Sequence, residues 1–428
     1  MGNNFKFETL CLHAGQQPDP ATTARGVPVH RTSSYVFKSS KHAADLFALK
    51  EMGNIYTRIM NPTQDVLEQR IAALEGGAAA LALSSGTSAV YYTIINICQA
   101  GDEIVSASNL YGGTYTMFDC ILPQFGIHTH FADSTDPESF DRAITEKTRA
   151  VYIETIGNPA LDFTDISAIA EIAQRHLLPL IVDATFTTPY LLKSIEYGAD
   201  IVVNSLTKWM GGHGTGIGGI VVDSGKFDWQ DPKFKLYNEP DPSYHDIRYA
   251  HDLGDMNPIA FILRMRLVPL RNLGACISPD NAWMFLQGLE TLPLRMQRHC
   301  DNAAEVARFL KEHPKVSWVR YPGLTDDPTY PVASRYLKNG FGGMVVFGIK
   351  GGLEAGRQFV DSLKLFSHLA NVGDAKSLVI HPASTTHSQL SEEQQRDGGL
   401  SPDLVRLSIG LENIDDIKED LDRAFGRT

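Results

Sequence analysis

Lys208 stands in the stretch "NSLTKWMGGHGTG", just after the apolar run Ile201-Val202-Val203. A lysine in that setting can be a solvated charge, a phosphate ligand or a nucleophile. The aromatic residue and glycines beside it and the apolar run before it point to partial desolvation, which lowers an amine's pKa and makes it a usable nucleophile and base. Ser205 and Thr207 are turn formers that can also clamp a phosphate. Asp183 closes the run "LPLIVD", and a half-buried carboxylate needs a cationic or hydrogen-bonding partner. Ser84-Ser85-Gly86-Thr87 ends another apolar run and opens a helix. Free N–H groups and the helix dipole there suit an anion, with plain capping as the alternative. Tyr111 comes before Gly112-Gly113, and Asn158 before Pro159.

These residues need a frame that brings them together. Short apolar runs occur at 78–86, 102–108, 127–132, 149–155, 178–185, 199–205 and 218–225. Most intervals between them can hold a helix, as 165–175 does with apolar residues at helical spacing. The pattern predicts an α/β fold with a mostly parallel seven-stranded sheet and helices on both faces. The last run follows its neighbour through a glycine-rich link too short for a crossover helix, so it is expected antiparallel. Ligands of such sheets bind beyond the carboxyl ends of the strands, and five strand ends carry the residues named above. Residues 1–61, with little periodicity, read as an arm, residues 62–278 as the large domain and residues 279–428 as a smaller α+β domain. Asn61, Pro62 and Gly76-Gly77 bound a helix. "SPDNAWMFLQGLETLPLRMQRHCDNAAEVARFLKEH" reads as one long helix kinked at Pro293, and 226–280 as irregular.

The composition narrows the partners. Of 428 residues, 43% are hydrophobic and 21% charged, values ordinary for a soluble globular protein. A net charge of −12 without a Lys/Arg cluster speaks against nucleic acid and anionic membrane. No apolar run is long enough to span a bilayer, and the first residues hold no apolar signal core, so a cytoplasmic protein is expected. The five cysteines are scattered, with no C-x-x-C, as suits reduced thiols that mostly fill core. Gly214-Thr215-Gly216-Ile217-Gly218-Gly219 fits a dinucleotide fingerprint only by letter, because it runs into a strand instead of opening a helix. His381 and His387 lack acidic or cysteine partners nearby, so no metal site is expected.

One cofactor needs a lysine for a Schiff base, an acid opposite a pyridine nitrogen, an aromatic ring against its own and an anion hole: pyridoxal 5′-phosphate. The chain also resembles the Cys/Met-metabolism family of pyridoxal-phosphate enzymes, of fold type I, nearly end to end. The resemblance is carried by "YTRIMNPT" (56–63), "SSGTSA" (84–89), "NLYGGTY" (109–115), "ETIGNP" (154–159), "VDATFTTP" (182–189), "NSLTKWMGGHGTGIGG" (204–219), "QGLETLPLRMQRH" (287–299), "NVGDAKSLVIHPASTTH" (371–387) and "VRLSIGLE" (405–412).

The resemblance implies roles. Lys208 would hold the cofactor and later shuttle protons. Asp183 would pair with the pyridine nitrogen, with Thr185 beside it among the cofactor-binding residues. Tyr111 would stack on the ring and assist proton transfer. Gly86 and Thr87 amides and Ser205 and Thr207 hydroxyls would hold the phosphate. Tyr56 and Arg58 would reach the site of a neighbouring subunit, Tyr56 also meeting substrate, in a homo-oligomer built as a dimer of dimers. Asn158 would lie near the cofactor's 3′-oxygen. Arg406 would clamp the substrate carboxylate in the bidentate geometry of Arg, with Ser377 in support. The implied activity is γ-replacement, in which sulfide displaces acetate from O-acetylhomoserine to give homocysteine. Lyase relatives typically carry Cys where this chain has Gly113, and cystathionine-binding relatives carry an acid where it has Lys376. Without that acid, cysteine's distal ammonium lacks a partner, which favours sulfide as the nucleophile. No cationic pocket for a longer succinyl tail can be placed.

Overall fold

The computed structural model describes residues 5–385 and 401–428. All seven apolar runs form strands: β1 (Ala79–Leu83), β2 (Glu103–Ala107), β3 (His128–Ala132), β4 (Thr148–Glu154), β5 (Leu180–Asp183), β6 (Ile201–Ser205) and β7 (Gly219–Asp223). They make one sheet in the order β1-β7-β6-β5-β4-β2-β3. Its pairings are parallel except those of β7, which runs antiparallel to β1 and β6. The short link before Gly219 thus does what its length dictates. The central strands β4, β5 and β6 bury almost every side chain, as strands covered on both faces must.

Local chemistry sets the helix ends. Asn61 caps the helix Pro62–Glu75 by accepting the Thr63 N–H at 2.9 Å. Gly76 ends it with φ +78, a left-handed conformation that suits glycine. Asp165 caps Ile166–Arg175. The expected single kinked helix is instead two, Pro279–Glu290 and Leu292–Glu312. Pro293 falls in the first turn of the second, where a missing N–H costs nothing. The stretch 226–280 is less irregular than expected, with a helix at Ala260–Met265.

A second sheet has the order β10-β11-β12-β9-β8. Its strands are β8 (Val316–Arg320), β9 (Met344–Ile349), β10 (Ser367–His368), β11 (Leu378–Ile380) and β12 (Leu404–Ser408). It packs around its own apolar cluster, including Phe347, Phe359, Leu421 and Phe425. The first residues are not all free of the body. The helix Phe7–His13 buries Cys11, and the Arg70 guanidinium donates to the Ala14 carbonyl at 3.0 Å. Among the described residues no helix is long and apolar enough to cross a membrane.

Candidate active site

The carboxyl edge of the large sheet gathers the polar residues. β5 ends on Asp183. Its Oδ1 accepts the Thr185 N–H at 2.9 Å, and its Oδ2 accepts the Tyr152 hydroxyl at 3.3 Å. In register beside it on β4 is Glu154, which accepts the Tyr111 N–H at 2.7 Å. Burial pushes both carboxyls up. Hydrogen bonds from Thr185 and Tyr152 pull Asp183 back, while the charge of Asp183 pushes Glu154 further up. Of the two, Glu154 is therefore the better site for a proton and Asp183, held by the hydrogen bonds from Thr185 and Tyr152, the better site for the charge.

Lys208 sits in the turn that follows β6. Its Nζ donates to Asn371 Oδ1 at 2.6 Å. Burial, then the positive charge of Arg406, lowers its pKa from 10.5 to about 8. Arg406 lies on β12, and its Nη1 donates to Asn158 Oδ1 at 2.9 Å. Burial brings this guanidinium down to about 10, and among the described residues no carboxylate pairs with it. A buried cation resting on a neutral amide is a receptor for an anion.

A third corner is built from backbone. The helix Gly86–Ile95 is capped by Ser85, whose Oγ accepts the Ser88 N–H at 3.0 Å. Among the described residues the Gly86 and Thr87 N–H groups have no acceptor. A Cβ on Gly86 would stand 2.7 Å from the Ser205 Cβ and 2.9 Å from its Oγ, so only glycine lets this helix start approach β6. The Ser205 N–H donates to Thr185 Oγ1 at 2.9 Å, which ties β5 to β6 at the site. The Thr207 hydroxyl accepts the Gly218 N–H at 3.1 Å and donates to the Gly218 carbonyl at 3.3 Å. The Tyr111 ring is 52% exposed. An open amide pair with a hydroxyl beside it, a charged carboxylate, an exposed ring and a low-pKa lysine together fit a phosphorylated pyridine aldehyde.

The structure thus brings Gly86, Thr87, Tyr111, Asn158, Asp183, Thr185, Ser205, Thr207, Lys208 and Arg406 to one side of the sheet. Tyr56 and Arg58 stay apart. They are exposed, with the Arg58 guanidinium 5.3 Å from the Tyr56 ring centroid. No hydrogen bond or ion pair joins either side chain to Lys208, Asp183 or Ser205 among the described residues. Ser377 presents no accessible surface. Its hydroxyl donates to Glu412 at 2.9 Å and accepts the Gly410 N–H at 2.9 Å, and its N–H donates to Glu412 at 2.6 Å. These bonds latch the chain to itself. Asn371, six positions earlier, is the residue of that stretch that meets the lysine, and sequence reasoning missed it together with Glu154 and Tyr152. Glu154 had a signal, the acid that ends "VYIE". His381 is buried against Ser384 and Pro402, while His387 lies outside the described residues. No metal-binding cluster occurs among the described residues.

Residues 8–426 match the family described as Cys/Met metabolism PLP-dependent enzyme. The chain belongs to this family. It is 56% identical to the O-acetyl-L-homoserine sulfhydrylase of Leptospira meyeri, over 99% of this chain and 98% of that one. It is 51% identical to the homocysteine synthase of Schizosaccharomyces pombe, over 98% of each. Among solved structures, a Campylobacter jejuni protein provisionally assigned as an O-acetylhomoserine (thiol)-lyase superposes with a TM-score of 0.94 at 40% identity, covering 99% of this chain and all of that one. That crystal structure contains a pyridoxyl-lysine phosphate. As a Cys/Met-metabolism enzyme the chain is PLP-dependent and of fold type I, and the donor set at its sheet edge suits that cofactor.

Proposed function

We propose that the chain exchanges acetate for sulfide on O-acetyl-L-homoserine, forming L-homocysteine. The Cγ–O bond breaks, a Cγ–S bond forms, the sulfide proton leaves with acetate, and nothing is oxidised or reduced. One observation carries the reading: a low-pKa lysine on Asn371 lies within the field of Arg406, which no carboxylate among the described residues neutralises. An amino-acid substrate offers the carboxylate that Arg406 lacks. Near-full-length similarity to enzymes named for this reaction supports the choice of substrate.

Bound pyridoxal phosphate supplies an electron sink that makes substrate C–H bonds acidic. Lys208 would hold it, Asp183 would supply the carboxylate for its ring nitrogen and Tyr111 an aromatic surface for its ring. Gly86 and Thr87 amides and the Ser205 hydroxyl would hold the phosphate; Thr207 would join them once its proton turns away from Gly218. Arg406 and Asn158 grip the substrate carboxylate. Once released to act as a base, the Lys208 amine takes the proton from Cα and then one from Cβ, and Asn371 gives it a fixed resting place between transfers. A pKa of about 8 leaves a useful fraction neutral near physiological pH. Ser377, with every hydrogen-bonding group engaged, holds the Asn371 stretch to Glu412 and does not meet substrate.

The choice of nucleophile follows from two positions. Lys376 is exposed and offers no acid to an incoming cysteine's ammonium. A Cβ at Gly113 would lie 2.6 Å from the Tyr111 ring, so the cysteine of lyase relatives would displace that ring. The arm residues Tyr56 and Arg58 complete the phosphate site of a second copy, in a dimer of dimers. Three of the free cysteines are buried, which is consistent with work in a reducing cytoplasm. Product analysis with O-acetylhomoserine tests the reading. Homocysteine that appears only when sulfide is added is expected. 2-Oxobutanoate and ammonia would make it a lyase, and faster turnover with cysteine than with sulfide a cystathionine synthase.

A further inference from the structure

Behind the turn that carries Lys208 lies a buried cation that the chemistry above does not use. We propose that Arg295 is a positioning residue for Lys208, its guanidinium fixing the turn from which the lysine amine works. The proposal rests on the reading of Lys208 as the working amine.

Arg295 belongs to the helix Leu292–Glu312 and is 5% exposed. Its Nη1 donates to the Trp209 carbonyl at 2.6 Å, and its Nη2 to the Met210 and Gly288 carbonyls at 3.1 and 2.7 Å. Its Nε donates to Thr291 Oγ1 at 3.2 Å. The turn's own bonds run from Gly211 N–H to the Leu206 carbonyl at 2.9 Å and from Gly212 N–H to the Lys208 carbonyl at 2.7 Å. They leave the carbonyls of residues 209 and 210 to the guanidinium. No carboxylate pairs with Arg295 among the described residues. Burying a charge without a counterion is costly, and an apolar side chain would fill the space at less expense.

The steric record agrees. A Cβ on Gly212 would lie 1.9 Å from Arg295 Nη1, at a φ of +71 that already favours glycine. A Cβ on Gly288 would lie 2.5 Å from the Met210 carbonyl oxygen. The junction between the two helices and the lysine turn therefore meet backbone to backbone, with the planar fork of Arg295 as the shared donor. A lysine, with a point charge on a flexible stem, cannot reproduce that fork. The segment that carries Asn371 is attached to the same turn, since the Ala375 N–H donates to the Gly212 carbonyl at 2.8 Å. Displacing residues 209–212 therefore moves both the lysine and its acceptor.

The experiment compares Arg295→Lys, Thr291→Val and Lys208→Ala with the unchanged protein. It measures melting temperature, pyridoxal phosphate affinity of the apoprotein, the pH midpoint of the visible absorbance, and kcat and KM separately. For Arg295→Lys we expect kcat to fall about 100-fold, the loss that follows a displacement of about 1 Å at a reacting group. KM for O-acetylhomoserine should hardly change, while cofactor affinity weakens and the absorbance midpoint moves. Thr291→Val, which removes the acceptor of Arg295 Nε and a long hydroxyl bond to the Gly288 carbonyl at 3.5 Å while leaving the guanidinium in place, should shift the same quantities in the same direction by less. A lower melting temperature with kcat, cofactor affinity and midpoint unchanged would reduce Arg295 to a staple and overturn the proposal. If Arg295→Lys does not fold, Thr291→Val decides on the same terms. Turnover by Lys208→Ala would bring down the underlying reading, and this proposal with it.

Discussion

Two halves of the candidate site are built on opposite plans. Around Asp183, Ser205 and Lys208, the chain supplies the supporting partners itself: Thr185, Tyr152, Asn371 and the strand register. Among the described residues, the Tyr56 and Arg58 side chains have only each other as polar company, a guanidinium beside a ring. Apolar side chains nearby stand in solvent, with Val36 98% exposed. The first half rests on strand ends, whose backbone is pinned on both sides and can hold reacting groups to fractions of an ångström. The second half, on a segment with little core of its own, has groups that lack a counterpart. In the proposed dimer a second copy provides one, and chemistry then belongs to the closed half and completion to the open half.

The closed half should break hardest. Lys208→Ala should lower kcat by roughly four orders of magnitude or more, as removal of a central catalytic group does. The same change should not harm the fold, for an electrostatic reason. The folded pKa of Lys208, about 8, lies below its ordinary 10.5. Below pH 8 both states hold the proton, and the folded state bears the cost of the buried charge. Between 8 and 10.5 the unfolded chain holds more protons, so stability rises with pH. Lys208→Met, which keeps the stem, should therefore stabilise the apoprotein at pH 7 by about 2–3 kcal/mol. That gain should fade as the pH climbs toward 10.5, and a pH-independent difference in urea unfolding would contradict it. Asp183→Asn comes next. It keeps the shape and removes the charge, so apoprotein affinity for pyridoxal phosphate should fall about 10- to 100-fold, the value of a hydrogen bond to a charged group. Unchanged affinity would move the cofactor's acid elsewhere.

The two halves also differed in how well the sequence announced them. The strands were legible because continuous apolar runs of that length have few other uses, and the antiparallel β7 followed from the length of its link. Asp183 and Ser205 are legible because each ends such a run, and Lys208 because it follows one within three residues. The long helix was misjudged because Pro293 suits a first turn as well as it causes a kink, and only the packing separates the two. Ser377 and Asn371 show a deeper limit. They lie six positions apart in a stretch with no regular period, so nothing local says that Asn371 meets the lysine, and Ser377, expected beside the substrate carboxylate, bonds within its own chain. The hydroxyl drew attention, and the fold committed it to Glu412. Glu154 went unread because its meaning depends on register with Asp183 across two strands. In the proposed dimer, which copy receives the arm is absent from any single-chain pattern.

The open half can be probed without touching the closed one. Arg58→Ala and Lys208→Ala should each be nearly inactive alone. Mixed and reassembled in equal amounts, they should regain about a quarter of the native sites. Half of random dimers are hybrids, and each hybrid holds one site with both residues intact. A mixture as inactive as its components would place Arg58 on its own chain's site, or on none.

The smallest expected effect lies behind the closed half and bears on why it is rigid. Glu75, at the end of the helix Pro62–Glu75, is fully buried, and its Oε1 accepts from Asn204 Nδ2 at 2.9 Å, one residue before Ser205. Glu75 Oε2 and Asn204 Oδ1 are both buried without partners. One proton on Glu75 would satisfy both, and burial does raise this carboxyl from 4.5 to about 8. Between those values the folded state binds more protons than the unfolded chain, so stability falls as pH rises through that window. A glutamine has the shape and the donor of the protonated acid. Glu75→Gln should therefore change stability by less than about 1 kcal/mol near pH 4.5, where both states of the native protein are largely protonated at this group and shape and pairing are kept. As the pH rises from 4.5 to 8 the variant should become progressively the more stable of the two, and above 8, where the native carboxyl is ionised in both states, the gap should level off. Parallel stability–pH curves would mean that Glu75 is already charged in the fold. The support beneath Ser205 would then be an ion accommodated by some other group, and the closed half would be less self-sufficient than its hydrogen bonds imply.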